Sequence, residues 1–332
     1  MRITVMAGGV GGARFLRGLL HHLAEHDTPA GGAHEVTVIG NTADDITLHG
    51  LRVCPDLDTV MYTLGGGIHE RQGWGRTDET FGVATELAAY DAGPDWFTLG
   101  DKDFATHLVR SRMLGLGYPL SQVTAALCAR WDLSGGTGTP VRLLPMSDDP
   151  VETHVVVDDG AGERAIHFQE WWVRLHAAAT ARRIVVVGVE SSTPAPGVLE
   201  AIREADVVLL PPSNPVVSIG TILAVPGVRD AVRGTRAPVV GVSPIIGGAP
   251  VRGMADACLH ALGLETSAES VAGLYADLLD GWLVDTSDAH LAGRRVEGSR
   301  AVVQARPLLM TDVGATAEIA SAALALAERV RG

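Results

Sequence analysis

The sequence predicts an α/β fold built on a mostly parallel β-sheet, and three observations support this. Nearly continuous aliphatic runs recur along the chain, they alternate with segments of helical periodicity, and loops rich in Gly, Ser or Pro join the two. Unbroken aliphatic strands are typical of a sheet that is covered on both faces. With 332 residues, 46% of them hydrophobic and 20% charged, the chain is long enough to bury such a core. We therefore expect a Rossmann-like sheet with helices on both faces.

The first half of the sheet begins with a βα unit. Residues 2–7 are apolar enough for a strand, residues 8–12 form a tight glycine loop, and residues 13–25 have helical periodicity. Residues 36–40 predict a second strand that ends at a polar segment. Three later aliphatic runs are assigned to the same parallel sheet, namely 184–189, 207–210 and 239–242.

The middle of the chain has a different pattern. Helical stretches broken by glycines and aromatic residues predict a helical insertion over residues 56–135, which would cover the carboxyl edge of the sheet and line a substrate pocket. Shorter and more polar strands at 153–157 and 164–168 predict an antiparallel extension of the sheet, and residues 311–330 predict an amphipathic closing helix. No linker or repeat is evident, so we expect one large α/β domain over residues 1–332.

Composition excludes several classes of protein. The net charge of −13 and the lack of a basic run argue against a nucleic-acid partner. No apolar run approaches the roughly 20 residues of a membrane span, and the amino terminus lacks the pattern of a signal peptide, so we expect no membrane partner and a cytoplasmic location. The three cysteines are far apart, which supports neither a disulfide framework nor a zinc site.

Three loops that follow predicted strands contain candidate nucleotide-binding residues. The first opens a helix, where backbone amides and the helix dipole can hold a phosphate. It does not fit the dinucleotide fingerprint, because Arg14 stands where a third small residue is required and Asn41 follows the second strand instead of an acid. A purely structural tight turn remains the alternative. The candidates are Gly8, Gly9, Gly11, Gly12, Arg14, Ser213, Asn214, Ser243, Gly247 and Gly248.

Four carboxylates follow the second strand, and they predict a magnesium site. Asp44, Asp45, Asp56 and Asp58 would repel an anionic substrate unless a cation lay between them. Mg²⁺ binds one or two carboxylates together with substrate phosphates and water. Asp45 and Asp58 are the predicted metal ligands, and helix capping or an Asx turn is the alternative interpretation.

Lys102 and two aromatic residues complete the candidate site. Lys102 is the only lysine in the chain and stands between two acids at a predicted helix start. A compact ammonium that arginine cannot replace would explain its presence, whereas a surface ion cluster would not require it. Trp74 and Phe81 lie in a glycine-interrupted stretch, where they could stack on a flat heterocycle or belong to the core.

Seven segments in order resemble the 2-phospho-L-lactate transferase family of coenzyme F420 biosynthesis. They cover about the first 280 residues and are GGVGGARF, NTADD, PDLDTVMY, GDKDFATH, LPMSDDPVET, PSNPVVSIG and VSPIIGG. The first of these segments and the arginine-rich composition resemble the actinobacterial branch, in which the transferred group is phosphoenolpyruvyl instead of phospholactyl.

The resemblance implies a Mg²⁺-dependent phospho-group transferase of the EC 2.7.8 type. In that family the ribityl hydroxyl of the deazaflavin Fo attacks the phosphorus of an enolpyruvyl- or lactyl-diphosphoguanosine donor, and GMP leaves. By resemblance, Asp58 and Lys102 lie beside Fo, and the glycine loop with Ser213 and Asn214 holds guanine or phosphates. A Mg²⁺ on the predicted ligands Asp45 and Asp58 would neutralise charge on the diphosphate. Trp74 and Phe81 become walls for the deazaflavin.

A homodimer is also expected. The alternative function is a non-enzymatic, nucleotide-sugar-binding regulator of the gluconeogenesis-factor type, which would need neither the deazaflavin walls nor Lys102. A nucleotide-dependent kinase is disfavoured because the chain has no G-x-x-x-x-G-K-[ST] loop.

Overall fold

The computed structural model describes residues 1–26, 34–158, 160 and 162–331. Its strands are β1 (Arg2–Ala7), β2 (Glu35–Gly40), β3 (Ile46–Leu48), β4 (Leu51–Val53), β5 (Val141–Pro145), β6 (Glu152–Asp158), β7 (Glu163–His167), β8 (Ala181–Val187), β9 (Val207–Leu210), β10 (Val239–Val242), β11 (Ile245–Ile246), β12 (Ala249–Pro250), β13 (Gly281–Val284) and β14 (Val302–Ala305). Its α-helices are α1 (Val10–His26), α2 (Pro55–Leu64), α3 (Gly82–Ala89), α4 (Asp101–Gly115), α5 (Leu120–Cys128), α6 (Val198–Arg203), α7 (Gly220–Ala224), α8 (Val228–Gly234), α9 (Ala255–Ala261), α10 (Ala268–Leu274) and α11 (Val313–Arg331). Short π-helical or 3₁₀ segments lie at Glu170–Arg174, Val189–Ser191, Pro215–Ile219 and Thr286–Leu291.

Seven of the described strands form one sheet in the order β14-β13-β10-β9-β1-β2-β5. β1 lies between β9 and β2, with Ile3 opposite Val207 on one side and opposite Val36 on the other. Every neighbouring pair in this sheet is parallel, which confirms the predicted α/β class.

Both faces of the sheet are covered by helices. Successive side chains of β1 point to opposite faces, so neighbouring residues of this strand show what covers each face. Met6 belongs to a buried cluster that includes Ile222 of α7. Val5 belongs to a second cluster, with Phe15 of α1 and Ile319 of α11. The parallel sheet therefore separates two hydrophobic cores.

One strand predicted for the parallel sheet lies elsewhere. β8 pairs antiparallel with β6, and β6 pairs antiparallel with β7, so that these three strands form a separate sheet. Val185 and Val187 of β8 are 38% and 52% exposed, so this aliphatic run is covered less completely than a central strand. The assignment of 184–189 to the parallel sheet is wrong, because one-sided burial also tolerates an aliphatic run.

The predicted extension of the central sheet is wrong for a related reason. Residues 153–157 and 164–168 fall in or next to β6 and β7 of the separate sheet, whereas the edge strand of the central sheet is β5, which runs parallel to β2. The strands β13 and β14 were not predicted. β13 begins with Gly and Trp and β14 contains Gln, so neither is the nearly continuous aliphatic run by which the equally short β9 and β10 were predicted.

Residues 55–128, which largely coincide with the predicted insertion, contain the helices α2 to α5. α2 packs against α1, and α4 packs against α5 and β4. The first turn of α2 places Asp56 beside Gly9, which follows the carboxyl end of β1. The insertion therefore meets the sheet at the edge where ligands bind in open α/β folds. Its membership of one domain with the rest of the chain stays a prediction.

The closing helix is confirmed as α11, which packs along α1. A Cβ at Gly18 of α1 would overlap Thr316 of α11, so glycine permits this close approach. No single helix among the described residues is long and apolar enough to cross a membrane. One bent pair, Pro215–Ala224 with Val228–Gly234, passes on length and composition alone, which is weak evidence.

Candidate active site

A cavity of about 870 Å³ opens between the amino end of α2, the loop over residues 65–81 and the first turns of α4. Four of the residues predicted for the site line it, namely Gly9, Asp58, Trp74 and Phe81. The side chains of Trp74 and Phe81 are 55% and 50% exposed, so they are available to a ligand instead of filling the core. Further polar residues of the wall are Asp44, Asp56, Arg76, Asp78, Glu79, Asp103 and His107.

The other predicted residues do not line this cavity. They are Gly8, Gly11, Gly12, Arg14, Asp45, Lys102, Ser213, Asn214, Ser243, Gly247 and Gly248. Arg14 lies partly buried in α1, where burial and then the positive charges of Arg252 and Arg17 lower its pKa. The roles of these eleven residues in binding stay predictions.

The glycine loop packs against the loop that follows β9. The Gly8 amide donates to Ser213 Oγ at 3.1 Å, and a Cβ at Gly8 would overlap Ser218. A Cβ at Gly11 would overlap the Pro212 carbonyl oxygen. These contacts support the structural interpretation of the glycines, since only residues without a Cβ allow the two loops to lie so close.

Asn214 after β9 and Ser243 after β10 form hydrogen bonds within their own loops. Asn214 caps the following helical segment, and its Oδ1 accepts from the amides of residues 216 and 217. Ser243 Oγ donates to the carbonyl of Ile245 at 2.8 Å and accepts from its amide at 3.1 Å. Gly247 and Gly248 have φ values of 57° and 82° and form the two-residue turn between β11 and β12.

Asp44 and Asp56 form an acidic pair on the cavity wall. Burial, followed by the charges of Asp56 and Asp45, raises the pKa of Asp44 well above its ordinary value. Burial also raises the pKa of Asp56 to about 6, although Asn41 and the Gly9 amide stabilise its charged form. Asn41 Nδ2 donates to Asp56 Oδ2 at 2.9 Å. Two carboxylates in one buried place favour a shared proton or a cation.

Asp58 is held by a buried arginine. Arg110 Nη2 of α4 donates to Asp58 Oδ1, and Arg110 Nη1 donates to the Arg52 carbonyl oxygen at 3.3 Å. Arg110 is 2% exposed, and despite its burial the neighbouring Asp58 raises its pKa above the ordinary value. Asp58 Oδ2 is buried and accepts no hydrogen bond from a described residue. One oxygen of Asp58 is therefore fixed by Arg110, and the other lies 3.7 Å from His107 Nδ1 without a hydrogen-bond partner among the described residues.

His107 lies beside this pair as a neutral ring. Arg110 Nη1 approaches His107 Nδ1 at 3.0 Å, and because a guanidinium only donates, Nδ1 must accept. Burial lowers the pKa of His107 to about 4, with Asp58 opposing and Arg110 reinforcing the shift. The ring proton is accordingly on Nε2.

Asp45 lies behind the cavity. It is fully buried, and Arg52 Nη2 is 3.5 Å from its Oδ2. Burial raises its pKa to about 7, although the charge of Arg52 lowers it. Neither carboxylate oxygen has a hydrogen-bond partner among the described residues. Asp45 is thus a costly buried acid that a cation would stabilise.

Lys102 ties α4 to the loop over residues 65–81. Its Nζ donates to the Thr77 carbonyl oxygen at 2.9 Å. The backbone amides of Lys102 and Asp103 donate to the two carboxylate oxygens of Glu79 at 2.9 and 3.0 Å. Asp103 faces the cavity, and burial and then the charge of Asp58 raise its pKa to about 7.

The carboxylates fit magnesium but do not form a complete metal site by themselves. No group of three or more His, Cys, Asp or Glu in the described part of the chain is arranged to hold a metal ion. Mg²⁺ requires fewer protein ligands, because water and substrate phosphates complete its shell. Buried oxygens without hydrogen-bond partners belong to Asp44, Asp45 and Asp58, and such atoms suit a cation. Asp44 and Asp58 reach the cavity, whereas Asp45 does not.

Sequence reasoning missed several wall residues. Asp103 and His107 are four residues apart on a predicted helix, so their shared face was a usable signal. Arg110 continues that face by one more turn. Arg76 is a single arginine in a glycine-rich loop, and nothing in its local pattern indicates a site.

The comparisons with known proteins agree with the resemblance. The family model described as 2-phospho-L-lactate transferase CofD matches residues 3–315. A phosphoenolpyruvate transferase of Kitasatospora aureofaciens is 66% identical over 332 residues, which cover 100% of this chain and 99% of that protein. Phosphoenolpyruvate transferases of Streptomyces griseus subsp. griseus and of Mycobacterium sp. (strain KMS) are 63% and 53% identical, and the matches cover at least 98% of each chain.

Solved structures share the fold at low sequence identity. Protein BH3568 of Bacillus halodurans, described in another structure as a member of the upf0052 family, has a TM-score of 0.61 and 17% identity to this chain. The match covers 97% of this chain and 99% of that one. This similarity supports the α/β architecture alone.

Proposed function

This chain belongs to the 2-phospho-L-lactate transferase family, and we propose on that premise that it is the transferase of coenzyme F420 biosynthesis that carries the phosphoenolpyruvyl group to Fo. The donor would be enolpyruvyl-diphosphoguanosine, the products dehydro-F420-0 and GMP. The names of relatives at 53–66% identity favour phosphoenolpyruvyl over the 2-phospholactyl group, which would give F420-0.

One observation supports this proposal most directly: the cavity combines exposed aromatic side chains with buried carboxylates. Trp74 and Phe81 offer flat surfaces to the tricyclic ring of Fo, 7,8-didemethyl-8-hydroxy-5-deazariboflavin. Asp58 lines the same cavity and has an oxygen without a hydrogen-bond partner among the described residues. Planar stacking and oxygen ligands in one cavity are what a heterocyclic acceptor and a diphosphate donor require.

The reaction is a displacement at phosphorus. The ribityl hydroxyl oxygen of Fo forms a bond to the phosphorus that bears the enolpyruvyl group, and the bond from that phosphorus to the bridging oxygen of GMP breaks. The bridging oxygen keeps the electron pair, and the hydroxyl proton passes to a base. Asp103, whose pKa is about 7, faces the cavity and is suited to accept that proton.

Magnesium is the proposed cofactor, with Asp58 as a ligand and with Asp44 or Asp45 as a second carboxylate. When bound, Mg²⁺ would neutralise charge on the diphosphate. Arg110 fixes Asp58 Oδ1, and Asp58 Oδ2 would then be the oxygen that contacts the cation or Fo. The guanosine site at the glycine loop, the contact of Lys102 with Fo and the homodimer stay predictions.

A direct assay tests the proposal. Purified protein is incubated with Fo, the enolpyruvyl donor and Mg²⁺, and the products are separated by chromatography and identified by mass. We expect dehydro-F420-0 and GMP in equal amounts, and no product when Mg²⁺ is chelated. Fluorescence titration with Fo distinguishes the transferase from the alternative function, because a nucleotide-sugar-binding regulator would neither bind Fo nor form product. Fo binding without turnover would contradict the proposed transfer.

A further inference from the structure

Arg76 is a buried cation that forms no ion pair with a described residue. Its side chain lines the cavity, and the residue is only 7% exposed. It forms no hydrogen bond or ion pair with another described residue through its guanidinium, and its Nε is buried without a partner. Arginine stays ionised in proteins and carries five N–H donors. A buried charge in this state is costly unless a ligand pairs with it.

Two aromatic rings support the guanidinium. Its central carbon lies 4.9 Å from the centroid of the Trp131 ring and 5.3 Å from that of Tyr62. Trp131 in turn lies against Gly65 and Gly67, where a Cβ would be 2.5 Å from the indole. Cation–π contacts offset part of the cost of burial but satisfy none of the N–H donors. The rings therefore hold the guanidinium in place, and no described residue accepts a hydrogen bond from it.

The charge distribution of the cavity makes Arg76 distinctive. Among the residues described as lining the cavity, it is the single arginine or lysine. Six acids share the wall, namely Asp44, Asp56, Asp58, Asp78, Glu79 and Asp103. Burial raises the pKa of Asp103 and the charge of Arg76 opposes this rise only in part, and no described carboxylate oxygen lies within the 4.0 Å of an ion pair with Arg76. For an anionic group that enters this cavity, Arg76 is therefore the one arginine or lysine among the described wall residues.

We propose that Arg76 binds an oxyanion of the transferred group, so that it orients the donor in the cavity. This rests on the proposed function, in which the donor carries a carboxylate and phosphoryl groups. A planar guanidinium binds either group through two parallel hydrogen bonds. Anchoring the anionic end at Arg76 would direct the remainder of the donor towards the carboxylate wall around Asp58.

The test compares Arg76→Gln and Arg76→Lys with a matched control. Arg130 lies over the same Trp131 ring at 5.1 Å, but it is exposed and does not line the cavity, so Arg130→Gln removes a cation–π contact without touching the site. Steady-state kinetics give KM for the donor, and fluorescence titration gives Kd for Fo. We expect Arg76→Gln to raise the donor KM about tenfold or more. The Kd for Fo should change less than about twofold, and Arg130→Gln should match the wild type.

Arg76→Lys keeps the charge but loses the fork, so we expect it to restore donor binding only in part. Inhibition constants of phosphoenolpyruvate and GDP distinguish the anion. If the carboxylate is bound, Arg76→Gln weakens phosphoenolpyruvate alone. If a phosphoryl group shared with GDP is bound, both inhibitors weaken.

An unchanged donor KM in both Arg76 variants would overturn the inference, as would equal losses in Arg76→Gln and Arg130→Gln. Should Arg76→Gln fail to fold, as judged by circular dichroism, Arg76→Lys decides the question through its donor KM. Failure of the proposed function gives a different result, because the wild-type protein would then form no product. In that case calorimetric binding of phosphoenolpyruvate to the wild type and to Arg76→Lys still tests the oxyanion site.

Discussion

The cavity wall and the loops after β9 and β10 contain similar polar residues at the same edge of the sheet, yet they differ in how those residues are satisfied. In the loops, Ser213, Asn214 and Ser243 each form hydrogen bonds within the protein. On the wall, Asp58 Oδ2 and Arg76 Nε are buried and have no hydrogen-bond partner among the described residues. Because buried polar groups are normally paired, it is the unpaired ones that indicate where a ligand binds.

From this difference we infer that the loops mainly hold the fold together and that the wall binds the ligand. The loop contacts bring the glycine segment within reach of β9, whereas the wall leaves donors and acceptors for molecules that enter from solvent. Four predictions test the distinction, in order of decreasing effect.

The largest effect is expected on the wall. Asp58→Asn keeps the size of the side chain but removes the charge that pairs with Arg110 and would bind Mg²⁺. We expect kcat/KM for transfer to fall at least about 100-fold, as is typical when charge stabilisation at a phosphoryl group is lost. Assays at limiting and saturating Mg²⁺ check this, with circular dichroism to confirm folding. Near-normal turnover at limiting Mg²⁺ would remove Asp58 from the metal site.

A smaller effect is expected at Lys102, which shares one property with the loops and another with the cavity wall. Its ammonium is satisfied by the Thr77 carbonyl, but Thr77 belongs to the cavity wall. Lys102→Ala should lower kcat/KM about tenfold, the effect of losing one charged hydrogen bond. Lys102→Arg should lose nearly as much, because its longer fork does not fit the same contact. Fo consumption measures both variants, and full activity of the alanine variant would exclude Lys102 from the site.

The third prediction concerns the buried acid behind the wall. The pKa of Asp45 is raised in the folded state, so its contribution to stability is complete below its unfolded pKa and is lost as the pH rises through about 7. Asn at this position carries no charge at any of these pH values. Asp45→Asn should therefore gain about 1 kcal/mol or more of stability over the wild type between pH 5 and pH 8 without Mg²⁺. Urea unfolding at both pH values measures this, and parallel pH dependences would contradict it.

The smallest effect is expected in the loops. Ser213→Ala removes one neutral hydrogen bond to the Gly8 amide and should lower the free energy of unfolding by about 1 kcal/mol. The sequence-based hypothesis instead predicts weaker binding of the guanosine donor. Calorimetry with GDP, together with thermal unfolding, separates the two. A large loss of GDP affinity at unchanged stability would show that the serine contacts the donor.

The sequence predicted the central fold better than its margins. β1, β2, β9 and β10 were found because each is an aliphatic run covered on both faces. β8 was misassigned because a run of valines and an isoleucine does not reveal that alternate residues are exposed. β13 was not predicted because its residues, Gly-Trp-Leu-Val, do not form a nearly continuous aliphatic run.

The candidate site was predictable to a similar degree. Asp58, Trp74 and Phe81 were identified from residue type and neighbourhood, and the structure brings all three to one cavity. Arg76 could not be found in this way, because what distinguishes it is the lack of a hydrogen-bond partner among the described residues, which only the structure shows. Ser213 shows the reverse problem, since a pattern typical of ligand binding also suits a loop that binds its neighbour.

Glu79 caps α4 from a different part of the chain. The residue before α4, Gly100, offers no capping side chain. The Glu79 carboxylate instead accepts from the backbone amides of Lys102 and Asp103 in the first turn. A Cβ at Gly100 would overlap Glu79, so this arrangement also requires glycine there. The loop with Trp74 and Arg76 is thereby fastened to the helix with Asp103 and His107. During divergence, insertions and deletions would then be tolerated between residues 82 and 99 only if both ends stay in register, while Glu79 and Gly100 should be replaced together or not at all.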